Sequence, residues 1–247
     1  MALALSLVWV LVAGAGMAGP CRAVSHDGEG YVVCTVTAGD DVRLWLDAPE
    51  GGVFGGFRRL SAALASEGEA LAFAMNAGMY HADRSPVGLY VEHGTERRPV
   101  VTAAGPGNFG MLPNGVFCVL TDGFAVIESR AFAGQPQPCR HATQSGPMLV
   151  IDGALHPRFI PDSPSRFVRN GVGVSADGQT AHFAISDRPV SFDAFARLFR
   201  DALEVPQALY FDGNVSRLHA PDLGRSDLGR QLGPIVGMVV PADPRQR

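Results

Sequence analysis

At 247 residues with 47% hydrophobic side chains, the chain can bury one large core, so a single domain is more natural than two and nothing in the composition points to disorder. A formal charge of −4 and a pI near 5.9 speak against a nucleic-acid partner, which would call for a basic face. All 20 basic residues are arginine, which removes Schiff-base and lysine-base chemistry; any fixed cation in a site must be arginine, a metal or protonated histidine.

The first 18 residues read as a signal peptide, with an apolar stretch from Ala2 to Val12 and small residues up to Ala18. They lack a basic start and are short for a membrane span. The expectation is a periplasmic or secreted protein that meets the membrane only through its export signal, with residues 19–247 as the domain. Four cysteines, Cys21, Cys34, Cys118 and Cys139, then favour disulfides between sequence neighbours, although three connectivities are possible. Tyr31 to Val36 and Val42 to Leu46 read as strands of a hairpin turned at 38–41. Phe57, Leu60 and Leu64 mark one face of a helix closed by Gly68. Leu71 to Met75 reads as a strand ending at Asn76. From Pro86 to Ile127 short apolar segments alternate with Gly, Pro and Asn as meandering β-structure, with a turn at 121–123. Met148 to Ile151 repeats the pattern, and 171–175 with 181–185 form a hairpin about 176–179. Ser191 caps a helix running to Leu203, and the strand Ala208 to Phe211 follows at once. Many strands and few helices give an α+β class, pictured as a strand-rich mixed sheet with few packed helices; no dinucleotide or Walker-type glycine loop occurs.

Four polar clusters follow apolar runs: Asn76-Ala-Gly-Met-Tyr80, Gln144-Ser-Gly-Pro147, Arg169-Asn-Gly-Val-Gly173 and Tyr210-Phe-Asp-Gly213. Polar groups at the ends of buried strands, beside glycines that admit close backbone approach, read as walls of one pocket. Each alone could equally be a turn or a strand end. In this order, with Pro86-Val-Gly-Leu89, Pro113-Asn-Gly-Val-Phe117 and Ser186, they resemble the phosphodiester glycosidase family from about Leu71 to Val240. The resemblance implies a mixed α+β domain that hydrolyses a sugar-1-phosphodiester. The animal branch carries Asp-Gly-Gly-Gly-Ser-Ser where this chain has Asp212-Gly-Asn-Val-Ser-Arg217.

For that reaction Arg169 is the expected phosphate ligand, because guanidinium can make two parallel bonds to phosphate oxygens. Asp212 is the expected catalytic carboxylate at the anomeric centre, and its competing role is to cap an Asp-Gly turn. Asn76, Gln144, Ser145, Gly146, Asn170, Ser186, Gly213, Asn214 and Ser216 are the expected substrate-binding positions, any of which could instead satisfy buried backbone groups. Two alternatives stand beside this: a glycan-binding protein of the envelope without turnover, and a serine hydrolase built on Ser145 with His81 or His156. No metal ligand or cofactor is assigned, and a divalent cation at Asp212 and Asn214 is left undecided. The expected partner is a sugar-phosphate or glycan substrate.

Overall fold

The computed structural model describes residues 19–243, so the expected signal peptide lies outside the described residues. The strands divide among three sheets, and every ladder is antiparallel, in place of the one mixed sheet expected. The α+β class holds. The largest sheet has seven strands in the order Cys21–His26, Glu29–Thr37, Thr180–Ser186, Asn170–Val174, Gln207–Asp212, Met148–Ile151 and Ala154–Leu155. A second runs Arg225–Ser226, Leu218–Ala220, Glu69–Asn76, Ile235–Pro241 and Asp41–Trp45. The third runs Thr95–Arg98, Tyr90–Glu92, His141–Ser145, Gly115–Val119 and Phe124–Glu128.

One face of each sheet meets a common core, in which Phe73 of the second sheet, Phe117 of the third and Phe183 and Phe211 of the first pack ring against ring. Their centroids lie 5.3 to 6.4 Å apart, the spacing of offset and edge-on aromatic pairs. The outer faces are covered separately. Helix Phe57–Ser66 lays Phe57, Leu60 and Leu64 on the second sheet, as its periodicity predicts. Helix Phe192–Arg197 continues into a π-helical turn at Leu198–Ala202 and covers the first sheet with Phe195 and Phe199. Ser191 caps it, its Oγ accepting from the Ala194 N–H at 3.1 Å. Helix Ser129–Gly134, which the sequence pattern did not reveal, lies against the third sheet through Phe132.

The hairpin expected at 31–46 does not form. Glu29–Thr37 pairs with Cys21–His26 and Thr180–Ser186, whereas Asp41–Trp45 pairs with Ile235–Pro241 in another sheet. The turn between them is a crossover pinned by Asp40, whose carboxylate accepts from the Thr37 N–H at 2.7 Å, while the Ala38 N–H reaches the Gln179 carbonyl at 2.8 Å. The hairpins at 119–124 and 174–181 form as expected. Both neighbour disulfides are present: Cys21–Cys34 links directly paired residues of adjacent strands, and Cys118–Cys139 ties the third sheet to the segment entering its central strand. The second and third sheets also meet where the Leu44 N–H donates to Nδ1 of buried His141, 3.3 Å away.

Candidate active site

Strand ends from all three sheets converge. Gln207–Asp212 delivers Asp212 from the first sheet, Glu69–Asn76 delivers Asn76 from the second, and His141–Ser145 delivers Ser145 from the third. The segment 213–217 crosses from the first sheet to the second, and two buried asparagines fix its path. Asn76 Oδ1 accepts from the Arg217 N–H at 2.9 Å, and its Nδ2 donates to Asn170 Oδ1 at 3.1 Å. Asn170 Nδ2 returns a bond to the Asn76 carbonyl at 2.7 Å. Ser216 Oγ reaches Asn170 Oδ1 and the Asp212 carbonyl at 3.1 and 2.8 Å. Ser145 Oγ closes the circuit from the third sheet by donating to the Phe211 carbonyl at 2.8 Å. Buried amides and hydroxyls are expected to be satisfied in this way, and here the satisfaction is what joins the sheets.

Asp212 stands opposite Asn170 in the ladder, at the strand's exit. Its Oδ1 accepts from the Gly213 and Asn214 N–H groups at 2.6 and 2.7 Å, so the turn-capping role weighed from the Asp-Gly pair is realised. Burial nonetheless pushes its carboxyl above the ordinary aspartate range, the backbone donors of Asn214, Gly213 and Val215 opposing that rise. Two phenols share the region. Tyr80 is raised by burial and then by the Asp212 charge, while Tyr210 is raised chiefly by burial, with the Arg169 guanidinium opposing. Gly213 is required next to Tyr210, because a Cβ there would sit 2.2 Å from the phenol oxygen.

The turn after Asp212 forms a wall of a cavity of about 560 Å³, lined also by Arg166, Phe167, Arg217, Leu228 and Arg230. No carboxylate lines it. Arg166 is neutralised by Glu29 and also donates to the Pro189 carbonyl. The guanidinium of Arg217, a residue only 8% exposed, has one hydrogen bond, from Nη2 to the Arg230 carbonyl, and among the described residues no carboxylate lies within ion-pair reach of it. Burial lowers its pKa, with the Tyr80 phenol and the Asp227 carboxylate opposing that fall. The cavity therefore presents a guanidinium without a direct ion pair, Arg217, beside a carboxylate that is poorly solvated.

Arg169 takes a different place from the one expected of it. It is wholly enclosed and does not reach this cavity: Nε donates to the Val190 carbonyl at 2.9 Å and Nη2 to the Ser165 carbonyl at 3.0 Å. Its Cζ lies 3.6 Å from the ring centre of Phe192, 5.4 Å from that of Tyr210 and 5.5 Å from that of Phe167. Aromatic faces and carbonyls replace a counter-ion. Ser186 is paired with it through the backbone, Oγ accepting from the Arg169 N–H at 3.0 Å. Gln144 points to the far side of its strand, where Oε1 accepts from the Leu89 and Val101 N–H groups at 3.0 and 2.9 Å and pins the segment between them. Gly146 packs against Asn114, where a Cβ would come within 2.5 Å of the asparagine's own. Thus Asn76, Ser145, Asn170, Asp212, Gly213, Asn214 and Ser216 gather in one place, whereas Gln144, Gly146, Arg169 and Ser186 support the frame around it. Arg217, Tyr80 and Tyr210 were missed as site residues, although all three fall within stretches the sequence singles out.

A serine-hydrolase arrangement is not formed. Ser145 Oγ is committed to the Phe211 carbonyl, and among the described residues no histidine hydrogen-bonds it; His156 is held by the Leu112 carbonyl. Nor does any group of three or more His, Cys, Asp or Glu side chains among the described residues converge as metal ligands would.

The comparisons agree with the motif order. The family model described as phosphodiester glycosidase matches residues 69–220. The uncharacterized protein YigE of Escherichia coli (strain K12) is 35% identical over 178 residues, which is 72% of this chain and 69% of that protein. Among solved structures, the catalytic domain of zebrafish N-acetylglucosamine-1-phosphodiester alpha-N-acetylglucosaminidase, auto-inhibited by its pro-peptide, shares the fold with a TM-score of 0.58 at 13% identity, over 88% of this chain and 81% of that one. A hypothetical protein from Synechocystis matches with a TM-score of 0.53 at 16% identity, over 89% of this chain and 61% of its own. By the extent of the family match and the identity to its bacterial relative, the chain belongs to the phosphodiester glycosidase family.

Proposed function

We propose that the protein hydrolyses a sugar-1-phosphodiester of cell-envelope or extracellular glycans, cleaving the bond between the anomeric carbon and the phosphate oxygen. Water would add at the anomeric carbon, giving the free sugar and a phosphomonoester that retains the aglycone. The observation that carries this reading is the pairing of one poorly solvated carboxylate, Asp212, with an adjacent cavity whose buried guanidinium, Arg217, makes no direct ion pair among the described residues. Arg217 would hold the phosphate in place of Arg169, with Arg230 at the exposed margin. Asp212 would stabilise, attack or deprotonate at the anomeric side, the three roles open to a carboxylate in glycoside hydrolysis. A phosphomonoester departs as a weakly basic anion, so no second carboxylic acid is needed to protonate it. Asn214 and Ser216, on the cavity wall, are placed to meet sugar hydroxyls.

Export forms part of the proposal. Two disulfides suit an oxidising compartment, and the apolar stretch at the start of the chain supplies a route to it.

The test is a release assay over a panel of sugar-1-phosphodiesters with the wild type, Arg217→Gln and Asp212→Asn. Asp212→Asn should lower kcat at least about a thousandfold, within the range that loss of a nucleophile or base produces. Arg217→Gln should chiefly raise KM. Equal release by all three would remove the assignment, and binding without release by the wild type would make the protein a glycan-binding module.

A further inference from the structure

A second cavity, of about 380 Å³, adjoins the first across the ridge 226–230. Arg217, Leu228 and Gly229 line both. The ridge leaves Arg217 accessible from either side: at Gly229 a Cβ would stand 3.3 to 3.4 Å from Cζ, Nε and Nη1 of that guanidinium, and the glycine has none. Leu228 rises from the crest with 91% of its surface exposed.

The far wall of the second cavity is the start of helix Phe57–Ser66, including Gly55, Gly56 and Arg58. That helix has no side-chain cap and no acidic residue in its first turn, so its positive end is not neutralised. The charges nearby are unequal in their commitments. Arg59 is engaged by Glu50 at 2.8 Å and by the Val53 and Gly51 carbonyls. Asp227, the one carboxylate on the wall, is engaged by Arg225 at 2.9 Å and by the Leu218 N–H at 3.0 Å. Arg58 is exposed, and among the described residues it has neither an ion pair nor a side-chain hydrogen bond. Arg58 and the remaining donors of Arg217 therefore make no direct ion pair, and both line the cavity, the Asp227 charge acting on Arg217 from the same wall.

We infer that this cavity is an aglycone subsite for a second anionic group, a phosphate or carboxylate carried a few bonds beyond the scissile phosphodiester. The substrate class is thereby narrowed to diesters with an anionic aglycone. Arg217 bridges the two anions, Arg58 selects the second, and Leu228 packs on the apolar linker between them. This inference rests on the hydrolase reading for its substrate and on the cavity alone for its anion.

The experiment compares two sugar-1-phosphodiesters that differ only in the aglycone, propyl against 3-phosphopropyl, in the wild type and Arg58→Ala. The wild type should favour the phosphorylated aglycone by about tenfold in kcat/KM, the worth of one charge-assisted phosphate contact. Arg58→Ala should bring that ratio close to one. A wild-type ratio of one, or a ratio that Arg58→Ala leaves unchanged, overturns the inference even if both diesters are hydrolysed. If neither is hydrolysed the proposed function fails, and the subsite is judged by NMR of the arginine side chains during titration with inorganic phosphate. A saturable shift of the Arg58 Nε resonance, lost when Arg217 is replaced by Gln, supports the subsite, and its absence overturns it.

Discussion

Replacing Asn76 by alanine tests whether the circuit of amides holds the site together. The change removes the acceptor of the Arg217 N–H, formerly 2.9 Å away, and leaves that buried donor without a partner. It also takes one of two donors from Asn170 Oδ1, which keeps Ser216 Oγ at 3.1 Å. An orphaned buried amide costs about 1–3 kcal/mol and a lost bond about 1 kcal/mol, so the variant should be less stable by about 2–4 kcal/mol. For a domain whose total is about 5–15 kcal/mol that is a large fraction. Urea denaturation followed by far-UV circular dichroism, with the disulfides intact, measures it; the Trp45 fluorescence offers a second probe inside the affected sheet. Because Asn76 and Asn170 share one side-chain bond, Asn76→Ala and Asn170→Ala together should cost about 1 kcal/mol less than the two separately. A loss under about 0.5 kcal/mol for Asn76→Ala, or strict additivity in the double variant, would refute the idea that these amides fix the crossover.

Arg169→Lys should destabilise by about 2–3 kcal/mol, since an ammonium cannot span two carbonyls while stacking on Phe192, yet KM for a phosphodiester should change less than in Arg217→Gln; thermal melts and steady-state kinetics separate the two effects. Burial raises the Asp212 carboxyl, so the folded state keeps that proton to higher pH than the unfolded chain does, and stability falls as pH climbs from the unfolded value through the folded one. Asp212→Asn should therefore melt above the wild type at pH 7, the gap closing as pH falls below the ordinary value of about 3.9. His141 behaves oppositely: burial lowers it from 6.5 to about 4, so stability is lost as pH falls through that window, by about 3 kcal/mol at 1.36 kcal/mol per unit. Denaturation at pH 7 and pH 4 should show that loss in the wild type and not in His141→Gln.

Much of the fold was legible because its signals are local. The helical spacing of Phe57, Leu60 and Leu64, the cap at Ser191 and the turns at 121–123 and 176–179 depend on residues within a few positions of one another. Strand partnership is not local. Tyr31 to Val36 and Val42 to Leu46 have the pattern of a hairpin, and only distant strands, Thr180–Ser186 for one and Ile235–Pro241 for the other, draw them into different sheets. Cys21–His26 alternates weakly because it is an edge strand with few buried residues. The site shows the same division. That polar residues gather where strands end follows from the chain pattern, and Asn76, Asn170 and Asp212 do gather. Which of two consecutive polar residues joins the circuit of amides does not follow, because neighbouring residues of an extended chain point to opposite faces. Arg169 and Asn170 are such a pair, and the asparagine, not the arginine, belongs to the circuit. Arg217 lay within the Asp212 stretch, but the consequence of its burial appears only when Asn76 is seen to hold its backbone.

Strand Ile235–Pro241 lies inside the second sheet, between Glu69–Asn76 and Asp41–Trp45, although it follows both by more than 150 positions. Two segments delivered early must therefore wait, each with an unsatisfied backbone edge, until residue 241 has been made and can reach them. That delay makes Ile235–Pro241, and not the strands made before it, the gatekeeper of the second sheet's maturation.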